Sequence, residues 1–222
     1  MCGRYTLYDA PHKLKDLFGT GNLPNFGARY NAAPLQEMPV IVKNKMGIAR
    51  WGFLPPWAHE DDHGLCAKMI NARSETVADK PSFIESWQKG RRCLIPANGY
   101  YEWQKDETSK QKQPYYITSS RHDCFAFAGL WSKHNDLVTF TILTKEADAA
   151  IAHLHHRMPI MLSPDEKEDW FTANTEGAAA IIQSAHGKDL VFHPVSDDVG
   201  KVANDSEALI APVTIMQQQT MF

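Results

Sequence analysis

The sequence predicts an α+β fold: a single domain over residues 1–213 with a curved, mostly antiparallel sheet core flanked by short helices, then a polar tail over 214–222. Three observations lead there. Strand-like apolar runs outnumber helical patterns. The two do not alternate regularly, which argues against a doubly wound parallel sheet. No internal repeat or linker divides the chain. With 222 residues, 43% of them hydrophobic and 22% charged, the composition is that of an ordinary globular protein able to bury a sizeable core without covalent staples.

In chain order, a strand over Arg4 to Tyr8 is followed by a helix that opens at Asp9-Ala10-Pro11. Leu14, Leu17 and Phe18 give this helix an apolar face, and Gly19 to Gly21 end it. Arg29 to Pro34 has the content of a loop. Met38 to Lys43 and Met46 to Gly52 form a hairpin across Asn44-Lys45, and a stiff loop then runs to Trp57. A charged loop, Glu60 to His63, precedes Ile70 to Thr76. Phe83 and Trp87 mark a short helix ending at Gly90, and Arg91 to Pro96 is an apolar strand leading into Ala97 to Trp103. The polar run Lys105 to Gln113 is a solvated hairpin tip. Tyr115 to Ser119, Phe125 to Trp131 and Leu137 to Leu143 are further strands. Thr144 is expected to cap a helix with Ala147, Ile151 and Leu154 on its inner face, which leads through His155-His156-Arg157 into a strand over Ile160 to Leu162. Ser163-Pro164-Asp165-Glu166 is a capping box with proline at the first helical position. A last helix, Glu176 to Ala185, precedes a strand over Val191 to Ser196.

Charge and cysteines narrow the function. A formal net charge of −3 gives no global footprint for nucleic acid, so any such surface must be local. No apolar run approaches a membrane span, and no secretory leader pattern follows Met1, so the expected location is the cytoplasm. The cysteines, Cys2, Cys66, Cys93 and Cys124, show no CxxC spacing. Cys93 and Cys124 lie in apolar stretches as small hydrophobes, whereas Cys2 has a chemical reason to be where it is. Loss of Met1 would leave an α-amine and a thiol on one residue. That 1,2-aminothiol can condense with an aldehyde to a Schiff base and close to a five-membered thiazolidine. An α-amine with an ordinary pKa of about 7.7–8.0 keeps an appreciable neutral, nucleophilic fraction near pH 7, far more than a lysine does.

Polar islands stand beside the strand ends. Glu102 lies between Tyr101 and Trp103, where burial would raise its pKa and make it a proton donor. His155 has an ordinary pKa suited to shuttling protons, and Asn71 is placed to hydrogen-bond the Cys2 amine or a substrate. Each has a plain alternative as solvent-facing strand glutamate, helix-end histidine and turn-former. Arg4, Arg73 and Arg157 stand within two residues of these groups and suit phosphates; Trp57 and Tyr30 could stack on bases. His193 with Ser196 forms another island. Metal binding fits poorly, because the histidine pair is adjacent and no carboxylate has matching spacing.

Met1-Cys2-Gly3-Arg4, Tyr30-Asn31-Ala32-Ala33-Pro34, Trp51-Gly52-Phe53, Ile70 to Thr76, Gly99-Tyr100-Tyr101-Glu102-Trp103, His155-His156-Arg157-Met158-Pro159 and His193-Pro194-Val195-Ser196 occur in one order. In that order the chain resembles the SRAP family (SOS-response-associated peptidase domain) from Cys2 to about Val213. The resemblance implies a sensor and shield of abasic sites in single-stranded DNA, acting in the DNA damage response. Its N-terminal cysteine captures the ring-opened sugar as a thiazolidine crosslink after the initiator methionine removes itself. It further implies Cys2 as nucleophile, Asn71 as positioner, Glu102 as general acid/base and His155 as proton-transfer group. Arg4, Arg73 and Arg157 would hold phosphates, with Asn31 and Trp57 lining the strand path. No cofactor or metal is implied, the partner is single-stranded DNA, and a monomer associated with the nucleoid when bound is the default. One departure is Trp57-Ala58, where some relatives carry two tryptophans. Class II glutamine amidotransferases also mature to Cys-Gly, but here Arg4-Tyr5-Thr6 follows rather than Ile and a glycine-rich turn. A thiol peptidase acting on other proteins and a non-catalytic single-strand binder are the remaining alternatives.

Overall fold

The computed structural model describes residues 2–105, 112–185, 187 and 189–215. The expected hairpin tip falls mostly, and the expected tail largely, outside the described residues. In chain order the elements are β1 (Tyr5–Leu7), α1 (Pro11–Phe18), β2 (Arg29–Ala32), β3 (Glu37–Val42), β4 (Lys45–Trp51), α2 (His63–Lys68) and β5 (Asn71–Arg73). Then follow α3 (Ile84–Gln88), β6 (Arg92–Ala97), β7 (Gly99–Lys105), β8 (Lys112–Ser119), β9 (Phe125–His134) and β10 (Leu137–Glu146). The described chain ends with β11 (Arg157–Pro159), β12 (Met161–Leu162), α4 (Lys167–Thr172), α5 (Thr175–Ser184) and β13 (Leu190–Pro194).

The strands make two sheets. One, in the order β13-β8-β7-β1-β2, is antiparallel throughout. The other closes on itself: β10 pairs with β4, β4 with β3, β3 with β6, β6 with β9, and β9 with β10 again. Closure removes the exposed edges that an open sheet would leave. The pairs β10–β4 and β10–β5 are parallel and the sheet closes, so the core is a mixed closed barrel where a curved, mostly antiparallel sheet was expected. Alternation along single strands records which face is buried but not which strand is the neighbour, and that is why parallel pairing was missed.

Consecutive strands β6 and β7 belong to different sheets, and Asn98 between them joins the two. Its side chain, fully buried, accepts from the Tyr8 N–H (2.8 Å) and donates to Asp9 and to the Asp123 carbonyl. The main core fills the barrel and the gap between sheets, with Trp51, Phe127 and Phe140 at its centre. A smaller cluster around Tyr101, Tyr116, Val195, Val199 and Leu209 covers the outer face of the first sheet.

Local signals hold where they are capped. Pro11 opens α1, Gly19 closes it in the left-handed conformation (φ 57), and Leu14 and Phe18 are buried, while Leu17 stays substantially exposed. At the capping box, the Ser163 N–H donates to the Glu166 carboxylate at 2.7 Å. The first turn there is 3-10 and continues as α4.

Three expectations are corrected. The helix capped by Thr144 does not form: β10 runs on to Glu146 because it has partners on both sides, β5 along Ile142–Thr144 and β11 along Thr144–Glu146. Ile151 and Leu154 are buried as expected, but on turns. Arg29–Ala32 is a strand against β1, not a loop. The hairpin turn is at Lys43-Asn44, one residue earlier than read, with Val42 opposite Lys45 and Lys43 at φ 56. The charged loop Glu60–His63 leads into α2, a helix with no counterpart in the sequence reading, whose N-cap Asp62 side chain accepts from the Leu65 N–H.

Candidate active site

Cys2 stands just before β1, fully buried where the first sheet meets the barrel. Its carbonyl accepts from Asn71 Nδ2 at 2.9 Å. Asn71 is on β5, so this one bond ties the N-terminus across to the barrel, and Asn71 Oδ1 is buried with no hydrogen-bond partner among the described residues. Strand alternation decides the rest. On β7, Tyr100 and Glu102 face inward while Tyr101 faces the outer cluster. The solvent-facing alternative for Glu102 is therefore excluded; it is 3% exposed. Burial pushes its carboxyl up to about 7. Burial, and then the nearby Glu102 charge, push the Cys2 thiol well above its ordinary range. In that neutral form the thiol donates to the Arg4 carbonyl at 3.9 Å.

His155 lies on the turn between β10 and β11. Its Nδ1 stands 2.9 Å from the Arg157 N–H and 3.1 Å from the Arg157 carbonyl, so the Arg157 backbone fixes the ring and leaves Nε2 as its other polar edge. His156 stacks on it with ring centres 4.4 Å apart. The same turn meets β7, where Gln104 donates to the His153 carbonyl. Cys2, Asn71 and Glu102 are thus gathered at one seam, and His155 stands on the turn that borders it.

The expected DNA-binding residues separate into two groups. Arg73 is exposed, with no ion pair among the described residues, and Trp57 is 62% exposed on a Pro55–Ala58 turn. Arg4, Asn31 and Arg157 have internal partners instead. Arg4 donates to Asn31 Oδ1 (2.8 Å) and to the Val199 and Gly200 carbonyls. Asn31, 1% exposed, donates to the carbonyls of Val199, Lys201 and Asn204, while Asp205 accepts from the Tyr30 and Asn31 N–H groups. Arg157, buried, makes a bidentate pair with Glu75 (2.6 and 2.8 Å) and donates to the Thr144 carbonyl. The partners Glu75 and 199–205 were not singled out from sequence, because they lie 82 and about 170 residues away and leave no local pattern. His193 and Ser196 have structural work: His193 contacts the Ile210 carbonyl and Ser196 caps a 3-10 turn. Among the described residues no three His, Cys, Asp or Glu side chains gather as a metal ion would need. No helix among them is long and apolar enough to cross a membrane.

The site can be set beside known proteins. A solved structure of a Bacteroides thetaiotaomicron protein superposes with a TM-score of 0.85 at 24% identity, over 96% of this chain and 100% of that one, which shows a shared fold. The abasic site processing protein YoaM of Bacillus subtilis (strain 168) is 35% identical over 225 residues, covering 95% of this chain and 97% of YoaM. The abasic site processing protein HMCES of Gallus gallus is 31% identical, covering 84% of this chain and 66% of HMCES. The model of the SOS response associated peptidase (SRAP) family matches residues 1–202, and the chain belongs to that family.

Proposed function

We propose that this protein captures abasic sites in single-stranded DNA by forming a thiazolidine between the sugar aldehyde and Cys2, once Met1 has removed itself. The observation that carries this reading is the pairing of Cys2 with a buried carboxyl near neutrality, held against Asn71 at one seam. The abasic sugar is mostly a closed hemiacetal. Glu102, close to half-protonated at pH 7, takes the C1′ hydroxyl proton in one state and protonates the ring oxygen in the other, so it speeds opening. The α-amine then adds to the aldehyde carbon, and Asn71 Oδ1 accepts from that amine, aiming its lone pair. His155 in its imidazolium form protonates the carbinolamine hydroxyl, which leaves as water, and the ring is left neutral. Attack by sulfur on the iminium carbon sends the C=N pair to nitrogen and the thiol proton to a base, closing the ring. The adduct therefore weighs protein plus DNA less one water.

Arg73 supplies phosphate affinity and Trp57 a stacking face, while Arg4, Asn31 and Arg157 hold the frame around Cys2. Binding is then largely independent of base sequence. The protein would work as a monomer in the cytoplasm, on the nucleoid when engaged, in the response to DNA damage. The deciding experiment is intact-mass analysis with a single-stranded oligonucleotide carrying one abasic site. The expected result is loss of Met1 and a heat-stable adduct lacking one water, absent in Cys2→Ala. A matured protein with no adduct, or an adduct retained in Cys2→Ala, overturns the proposal.

A further inference from the structure

Two buried polar atoms on the inner face have no part in the chemistry above. Tyr5 on β1 and Tyr100 on β7 stand directly opposite each other, and both are fully buried. Neither hydroxyl has a hydrogen-bond partner among the described residues. Leaving a buried hydroxyl unpaired forfeits its hydration with nothing in return, so two side by side call for an explanation. Both rings are fixed by packing: Tyr5 meets Trp51 and Phe127 edge-on at 5.1 and 5.7 Å, and Tyr100 meets Phe127 at 6.0 Å.

Cys2 has the complementary need. Among the described residues, the hydrogen bond of its sulfur is a donation to the Arg4 carbonyl, a contact that suits S–H and repels a thiolate. Among the described residues nothing donates to the sulfur. We propose that the phenols of Tyr5 and Tyr100 form a two-donor seat for the Cys2 sulfur, which turns from the Arg4 carbonyl to them as its proton leaves. The proposal deepens, and rests on, the assignment of Cys2 as nucleophile. The charged and titratable groups that bear on the two phenols are Cys2 itself, Glu102 on β7, Asp148 on the turn after β10 and Cys93 on β6. Burial and this acidic company keep both phenols protonated, hence donors, at any working pH. In ring closure the thiol proton passes to the Glu102 carboxylate and the sulfur lone pair forms the S–C bond. The C=N pair moves to nitrogen and the phenols keep their own protons.

The test uses Tyr5→Phe, Tyr100→Phe and the double variant of the mature protein. The first readout needs no DNA: thiolate absorbance against pH, with Cys2→Ala as the blank. Losing a donor to a charged acceptor should raise the midpoint by about one unit per phenol. The second readout is the pH–rate profile of crosslinking. Because thiolate nucleophilicity rises with pKa with a Brønsted slope of about 0.4–0.5, each variant should lose about three-fold in rate at neutral pH and gain about three-fold above the new midpoint. A purely structural tyrosine would not produce that crossover. Melting temperatures should stay level or rise, since the removed hydroxyls had no partner. Unchanged midpoints, or a marked loss of stability in the single variants, overturn the proposal. Failure of the unaltered protein to crosslink would instead sink the assignment of Cys2, so the two failures are distinguishable.

Discussion

Glu102 is the residue whose environment most constrains the chemistry. Its carboxyl rises from 4.5 to about 7 through burial, so the native state holds a proton that the unfolded chain has already released. Below pH 4.5 both states are protonated and the difference vanishes. Between 4.5 and about 7 the native state binds more protons, so stability falls as pH rises, by about 3 kcal/mol in all. Glu102→Gln removes the titration. Urea unfolding between pH 4 and 8 should show the original protein losing stability relative to the variant as pH rises. Parallel curves for the two proteins would mean that Glu102 ionises as an ordinary carboxylate. Much at this scale was legible in sequence: Cys2 from its place after Met1, and Glu102 from its aromatic neighbours. Arg157 and Asn31 were not. An arginine beside a histidine looks the same whether it faces a phosphate or a glutamate 82 residues upstream.

Among the elements, β7 matters most, because its alternation sends Tyr100 and Glu102 inward. Its pairing with β1 depends on Gly99. A Cβ there would sit 2.3 Å from the ring and hydroxyl of Tyr116, which crosses beneath to meet the Thr6 hydroxyl at 2.9 Å. Tyr116 is held between Tyr101 and His193 and has little room to yield. Overpacking of this kind costs typically about 1–3 kcal/mol. Gly99→Ala should therefore lower stability by that amount in chemical denaturation and slow crosslinking, because the register that places Glu102 shifts with it. Unaltered stability would mean that the strand is less tightly seated than these distances indicate. Elements were legible where their signal is local, as at Pro11, Gly19 and the Ser163 box. They were not where distant pairing overrides it. Thr144 has the makings of a helix cap, yet Arg73 and Pro159 flank it in the sheet, and a strand bonded on both sides outcompetes a nascent turn.

For the molecule as a whole, a net charge of −3 must coexist with the affinity for a polyanion that the proposed function requires, so binding on that reading depends on few cations. Those with internal partners cannot release counterions from DNA, and this separates Arg73 from Arg157. Each phosphate neutralised on a single strand contributes about −0.7 to the slope of log K against log salt. Anisotropy titrations of the Cys2→Ala protein, which binds without crosslinking, isolate this term. Adding Arg73→Ala should flatten the slope by about 0.7 and leave the melting temperature unchanged. Adding Arg157→Ala should leave the slope unchanged but destabilise the fold by about 2 kcal/mol, since the Thr144 carbonyl loses a buried donor. Should Arg157→Ala instead flatten the slope with no loss of stability, Glu75 would be a placeholder that yields the guanidinium to phosphate on binding. A flat response from Arg73→Ala would move the phosphate path to another face. The two arginines differ in having or lacking internal partners, Glu75 and the Thr144 carbonyl for Arg157, so the comparison tests whether geometry or mere positive charge decides which arginines meet the strand.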